Sequence, residues 1–66
     1  MTKRQTEALA FIKSFIKDHG HSPTHREIAD HLGLASKSGV HRIIESLTEQ
    51  GKVRRVKYRH RTVEVL

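Results

Sequence analysis

The sequence of 66 residues predicts a mainly α-helical fold that ends in a small β-hairpin. Three successive segments have apolar residues at helical spacing, and each is bounded by capping residues and a glycine. From residue 52 onward the sequence changes to strand-favouring residues. A chain of this length forms one domain, here residues 1–66. Because only 35% of the residues are hydrophobic and Trp is absent, we expect a small core without an enclosed catalytic pocket.

The first helix is predicted from a capping box followed by one apolar stripe. Thr2 and Gln5 have the spacing at which each side chain satisfies a backbone donor of the other residue. Apolar residues then recur at helical spacing between Ala8 and Ile16, which predicts one buried face. Gly20 supplies the left-handed cap that ends the helix.

A short second helix follows a proline-containing loop. Pro23 disfavours helix at the residue before it. Thr24 and Glu27 repeat the spacing of a capping box, and Gly33 ends the segment. The helix has only about two turns, so tertiary packing must hold it in place.

The third helix has Ser36 as its candidate N-cap and ends at Gly51. Gly39, inside this helix, costs about 1 kcal/mol relative to Ala. Either another group approaches Gly39 closely, or packing elsewhere absorbs the cost. Four apolar residues form the inner face: Val40, Ile43, Ile44 and Leu47.

The carboxyl-terminal hairpin is predicted from two groups of strand-favouring residues joined near Arg59 and His60. This turn lacks Gly, Asn and Pro. Val53 and Val56 fall on opposite faces of a regular strand, so either the first strand contains a bulge or its predicted boundary is wrong. The two groups are Val53, Val56 and Tyr58, then Thr62, Val63 and Val65.

Positive charge is concentrated at the carboxyl end. The formal net charge of +6 divides into +1 for residues 1–33, zero for residues 34–51 and +5 for residues 52–66. A segment this basic repels itself unless an anionic partner lies nearby. A merely solvated surface explains positive charge in general but does not explain its crowding into one stretch.

A two-turn helix, a turn with a glycine and a longer helix form a helix-turn-helix pattern, and three helices followed by a hairpin make a winged helix. The second helix of the pair enters the DNA major groove with its amino-terminal residues facing the base edges. Serine, lysine and arginine side chains suit hydrogen bonds with bases. The base-reading candidates are Ser36, Lys37, Ser38, Gly39, His41 and Arg42.

The predicted wing would add sequence-independent attraction for the DNA backbone. For His41 or Arg42 individually, base contact and phosphate contact both stay open, because half or more of such hydrogen bonds go to phosphate and sugar. The backbone and wing candidates are Thr24, Arg26, Arg54, Lys57, Arg59, His60 and Arg61.

The stretch SPTHREIADHLGLASKSGVHRIIESLTEQGKVRR resembles the N-terminal DNA-binding domain of LexA-type SOS repressors. The resemblance extends from KRQTEALAFIK near the start to VEVL at the end, and its most specific piece is LAS-S-VH, Leu34 to His41. It implies a winged helix-turn-helix transcriptional repressor of double-stranded DNA. On this likeness Ser36, Ser38, Gly39, His41 and Arg42 would lie on the groove-reading surface.

The sequence also departs from that family. LexA-type repressors continue into a linker, a self-cleavage site and a Ser/Lys protease and dimerisation domain, to which nothing in these residues corresponds. Gly39 and Arg42 occupy positions where relatives vary, and the wing tip KYRHR is more basic than expected. Either an excised DNA-binding domain or a minimal regulator from a phage or mobile element fits this pattern.

Other functions are less well supported by the sequence. Cysteine is absent, and His25 and His31 lack metal-ligand spacing, so we expect solvated histidines, no metal and no cofactor. Ser38 and His41 lack an orienting acid, so no catalytic residue is predicted and the chain is not expected to be an enzyme. No segment is long enough to span a membrane, which indicates a soluble cytoplasmic protein.

Two further partners are considered besides DNA. A weak homodimer on a palindromic operator would suit this fold. The alternative function is a small protein-interaction module that binds a host repressor, a polymerase or another enzyme through the first helix. Ala10, Phe11 and Phe15 could serve there, although we expect core burial for both phenylalanines.

Overall fold

The computed structural model describes residues 2–55 and 63–66. It confirms the predicted mainly helical fold with a two-stranded antiparallel hairpin, as expected for a winged helix-turn-helix. Several predicted features of the hairpin lie outside the described residues, among them Val56, Tyr58, Thr62, the turn near Arg59 and His60, and the bulge. The elements in chain order are α1 (Lys3–His19), α2 (His25–Leu32), α3 (Lys37–Glu49), β1 (Val53–Arg55) and β2 (Val63–Val65).

Reciprocal capping boxes begin both α1 and α2, as predicted. The Thr2 side chain accepts a hydrogen bond from the Gln5 backbone N–H at 3.1 Å, and the Gln5 side chain accepts one from the Thr2 N–H at 3.2 Å. Thr24 and Glu27 repeat this exchange at 3.2 and 2.8 Å. Each box satisfies amides that have no partner within the helix, so local sequence signals mark where these helices start.

The buried face of α1 is narrower than its apolar stripe. Ala8, Leu9 and Ile12 are buried. Phe11 and Phe15 are half-buried, so the prediction of core burial for both phenylalanines is wrong. With 3.6 residues per turn, the two rings lie at one edge of the stripe. Phe11 packs against the core from that edge, and Phe15 stacks on His19 at the end of the helix.

Within residues 2–55 and 63–66, one core of 11 apolar residues joins the three helices and both strands. The core includes one stripe of apolar residues at helical spacing from α2 and another from α3. Ile43 of α3, predicted on the inner face, is only partly buried. These stripes are Ile28, Ala29 and Leu32 on α2 and Val40, Ile44 and Leu47 on α3.

The carboxyl end of α3 leads directly into the hairpin. The helix ends at Glu49, and Gly51 follows with a φ of 73°. The Lys52 backbone N–H donates to the carbonyl of Leu47 at 2.9 Å, which ties the start of the hairpin to the last turn of α3. The strands pair with Val53 opposite Val65 and Arg55 opposite Val63.

A polar bridge supports the contact between α1 and α3. The Gln5 amide donates to the Ser46 hydroxyl at 3.0 Å, and the Gln50 amide donates to the Gln5 side-chain oxygen at 3.0 Å. On the other side of α1, the Arg4 guanidinium donates to the backbone carbonyl of Leu32 at the end of α2. Within the described residues, no helix is long and apolar enough to cross a lipid bilayer.

Replacing Leu47 by Ala tests how far the fold depends on the inner face of α3. Leu47 is 0% exposed, so Leu47→Ala should lower the free energy of unfolding by about 3 kcal/mol through lost burial and a cavity. The matched control is Leu66→Ala, since Leu66 is 66% exposed and its change should stay within about 0.5 kcal/mol. Urea unfolding followed by circular dichroism measures both. Equal effects of the two substitutions would contradict the described core.

Candidate nucleic-acid interface

The turn between α2 and α3 is fixed by Leu34. Gly33 has a φ of 70°, and the Leu34 backbone N–H donates to the Ala29 carbonyl at 2.9 Å. The Leu34 side chain packs against the core. A Cβ atom at Gly39 would lie 3.2 Å from Leu34 Cδ1, so the close approach to this glycine comes from within the chain. The glycine lets Leu34 sit against the first turns of α3 and thereby sets the angle between the two helices.

The first two turns of α3 present a polar and basic surface to solvent. Five of the six base-reading candidates are exposed, and Gly39 is half-buried on the side that meets Leu34. Val40 and Ile44 anchor the helix from below. The five exposed candidates are Ser36, Lys37, Ser38, His41 and Arg42.

Ser36 stands at the N-cap position, as predicted, with an extended backbone. Its hydroxyl makes no capping hydrogen bond to the helix, unlike those of Thr2 and Thr24. Since a serine hydroxyl both donates and accepts, Ser36 can direct it outward to a ligand. The amino end of α3 thus combines hydroxyl groups with the cationic Lys37.

Acidic residues limit this surface toward the carboxyl end of α3. His41 Nε2 lies 3.7 Å from Glu45 Oε2, and both side chains are more than half exposed. Glu49 follows in the last turn and is also exposed. A polyanion would therefore be attracted to the first half of the helix and repelled from the second half.

The backbone candidates of α2 and β1 differ in their surroundings. The Thr24 hydroxyl accepts the capping bond from Glu27, so it retains its own proton as a donor. Arg26 is exposed and lines a shallow groove of about 300 Å³ together with Ser36 and Lys37. Arg54 Nη2 donates to Glu64 Oε1 across the hairpin at 2.6 Å. The remaining wing candidates, Lys57, Arg59, His60 and Arg61, lie outside the described residues.

His25 and Arg55 belong to this surface although neither was among the predicted candidates. His25 is the first residue of α2, and its half-buried ring lies 6.5 Å from the ring of His41. Burial lowers the pKa of His25, and the nearby His41, Arg55 and Lys37 lower it further. Basic side chains from α2, α3 and β1 therefore lie near one another. We call His25, Lys37, His41 and Arg55 the basic junction.

A signal for Arg55 was present in the sequence. Arg55 is two residues after the buried Val53, and residues at this spacing share one face of a strand. Arg54 and its partner Glu64 occupy the opposite face. No comparable signal exists for His25, because its role depends on how α2 packs against α3.

The expectation that the histidines are solvated needs a partial correction. His19 and His31 are exposed, as expected, although their rings stack on Phe15 and Phe11 at 4.0 and 4.1 Å. His21 and His25 are half-buried, so the expectation is wrong for them. In the part of the chain that the structure describes, no group of three or more His, Asp or Glu residues could hold a metal ion.

The fold has three helices, a short turn that leads into a polar and basic third helix, and a two-stranded hairpin beside that helix. These features define a winged helix-turn-helix DNA-binding domain. Residues 1–62 match the family described as the LexA DNA binding domain. The chain therefore belongs to the LexA DNA-binding domain family, and the resemblance noted in the sequence is confirmed.

Among the curated relatives that match are two that align with the whole chain. This chain is 47% identical over 66 residues to the LexA repressor of Novosphingobium aromaticivorans and 42% identical over 66 residues to the LexA repressor of Pelagibacter ubique. In each case the match covers 100% of this chain. It covers 28% of the first relative and 29% of the second, so the chain spans less than a third of their length.

The lowered pKa of His25 predicts how the free protein responds to acid. The native state binds fewer protons than the unfolded chain, whose histidine titrates near the usual 6.5. The contribution of His25 to stability is therefore fully present above pH 6.5 and is lost as the pH falls through the native pKa.

Thermal unfolding between pH 7.5 and 5, followed by circular dichroism, measures this loss. His25→Gln should reduce the decrease in melting temperature over that interval, because glutamine does not titrate. His19→Gln, at the end of α1, is the control for removing a histidine. An unchanged pH dependence in His25→Gln would show that His25 is as well solvated in the native state as in the unfolded chain.

Proposed function

We propose that this chain binds double-stranded DNA sequence-specifically, as the DNA-binding part of a transcriptional repressor. The observation that carries the proposal is the outward row of short polar and basic side chains in residues 36–42, held on the buried stripe of α3. In this proposal α3 lies in the major groove, and the hairpin contacts the DNA backbone or the adjacent minor groove. Membership of the LexA DNA-binding domain family supports it.

Base reading is assigned to the first two turns of α3. Lys37 and Arg42 have the donors that guanine O6 and N7 accept, while Ser36 and Ser38 can donate to or accept from several bases. His41 faces the same side and approaches either a base or a phosphate. Gly39 would contribute to base reading only through its backbone, since a side chain at this position would point toward Leu34.

Backbone contacts are assigned to the elements that flank α3. Arg26 of α2 is exposed beside Ser36 and Lys37, and the Thr24 hydroxyl retains a proton for a phosphate oxygen. Arg54 can exchange its exposed ion pair with Glu64 for a phosphate at little cost, because exposed pairs contribute at most about 1 kcal/mol. The four remaining wing candidates would extend this contact: Lys57, Arg59, His60 and Arg61.

Repression would follow from occlusion of a promoter by the bound protein. Both curated relatives are named LexA repressors, and a role in the SOS response is part of the proposal for this chain. A palindromic operator would bind two copies, so we expect a homodimer that is weak in solution and favoured on DNA. A DNA-binding role also implies a cytoplasmic protein in a bacterium. The family match favours this function over a protein-interaction module, and over an enzyme.

The salt dependence of DNA binding tests the electrostatic part of the proposal. Neutralising about five to seven phosphates should give a slope of about −4.5 to −6 for log K against log salt concentration. Fluorescence anisotropy with a duplex selected from a random pool measures this slope. If no duplex sequence is enriched in the selection, the protein is not a sequence-specific reader; a slope near zero would remove the basic hairpin from the interface.

Substitutions in α3 and in the wing should act differently. Arg42→Ala should weaken binding to the preferred site by about 1–3 kcal/mol and relax the preference at one base position. Replacing Arg59 and Arg61 together by Ala should weaken binding to all duplexes alike, because phosphate contacts carry no sequence information. Competition among single-base variants of the selected duplex distinguishes the two patterns. Uniform weakening by Arg42→Ala would reassign Arg42 to the backbone contacts.

A further inference from the structure

We propose that His25, with Arg55 beside it, contacts a DNA phosphate next to α3, and that this contact makes DNA binding proton-linked. The inference rests on the proposed function, since the phosphate is that of the duplex bound by α3. It adds a contact that lies on neither the base-reading face nor the wing tip, and it gives the interface a dependence on pH.

The position of His25 follows from the meeting of three elements. His25 opens α2, Lys37 opens α3 and Arg55 ends β1. The ring of His25 faces the ring of His41 from α3 at 6.5 Å and an angle of 62°. Because His41 is one of the base-reading candidates, this ring contact places the junction beside the proposed reading surface.

Arg55 reaches the junction because of the strand register. Val53 is buried and pairs with Val65, while Arg55 pairs with the buried Val63. Residues 53 and 55 therefore share the inner face of β1, and Arg55 extends past the edge of the core. Its guanidinium is close enough to His25 to lower the pKa of that imidazole.

Three basic groups surround His25, and two carboxylates lie on the same helices. His41 and Lys37 approach it from α3 and Arg55 approaches it from β1, and each of them disfavours the protonated imidazole. On α2 itself, the Glu27 carboxylate accepts the Thr24 backbone N–H at 2.8 Å as part of the capping box. On α3, Glu45 lies beside His41. A site where cations repel one another is one that an anion stabilises.

A phosphate at the junction would reverse the preference of His25. In the free protein, burial and neighbouring cations keep the imidazole neutral near pH 7. A phosphate within hydrogen-bonding distance favours the imidazolium, so the pKa of His25 rises on DNA binding and the complex takes up a proton. The affinity for DNA then increases as the pH falls from the pKa of His25 in the complex to the pKa of His25 in the free protein. Below that range the affinity is constant.

The experiment measures the dissociation constant between pH 7.5 and 6.0 at constant ionic strength, with a duplex selected from a random pool. The wild-type affinity should rise by about 3- to 10-fold over this interval, since one linked proton changes affinity by at most about tenfold per pH unit. His25→Gln should lose at least half of this rise on a logarithmic scale. His19→Gln, at the far end of α1, should retain it.

Titration calorimetry in two buffers of different ionisation enthalpy counts the protons directly. The wild type should take up more protons than His25→Gln near pH 6.5. A His25→Gln variant that keeps the full pH dependence and the full proton uptake would overturn the inference, and the effect would then belong to His41 or His60. If the wild type binds no duplex at any pH, the proposed function itself fails.

A second pair of variants tests the junction without removing His25. Arg55→Gln removes a cation beside the imidazole, so the pH range in which affinity rises should shift upward. Arg54→Gln is the matched control, because Arg54 lies on the opposite face of β1 in the ion pair with Glu64. Equal shifts in the two variants would contradict the proposed contact. Circular dichroism of each variant confirms that it is folded.

Discussion

The packing of the inner face of α3 is the contact on which the rest of the molecule depends. Val40, Ile44 and Leu47 are each no more than 1% exposed, and the helix packs against α1, α2 and β1. The outer face of the same helix carries the proposed reading residues. A buried inner face therefore fixes the direction of the side chains that, in the proposal, meet base edges within a fraction of an ångström. In the proposed function, stability and recognition are coupled because one helix supplies both.

Much of this fold could be predicted from the sequence because its signals are local. Capping boxes at Thr2 and Thr24 and the apolar stripe of α3 involve residues three or four positions apart, whose proximity the helix itself guarantees. The open alternatives for Gly39 were different, because only the folded chain brings Leu34 against it. The prediction that Phe15 is buried in the core is wrong for the same reason. Helical periodicity does not show how much of the α1 surface is covered by α2 and α3.

The candidate site shows the same division. The exposed residues of α3 were predicted because an apolar stripe on one face of a helix implies that the opposite face is exposed to solvent. His25 and Arg55 were missed because their meeting depends on the packing of α2 and β1 around α3. Net charge by segment also gave an incomplete description of the wing. Of its two adjacent arginines, Arg54 is paired with Glu64 on the outer face, whereas Arg55 faces the junction on the inner face.

Burial of a histidine among cations has opposite consequences for the free and the bound protein. In the free domain, protonation of His25 opposes folding, so acid destabilises the native state. In the proposed complex, a phosphate compensates the same repulsion, so acid strengthens binding. By linkage, the unfolding of the complex should then depend less on pH than the unfolding of the free domain, since DNA stabilises the native state most where His25 destabilises it. A repulsive cluster at this surface is thus better explained by binding of an anion in the complex than by a contribution to folding.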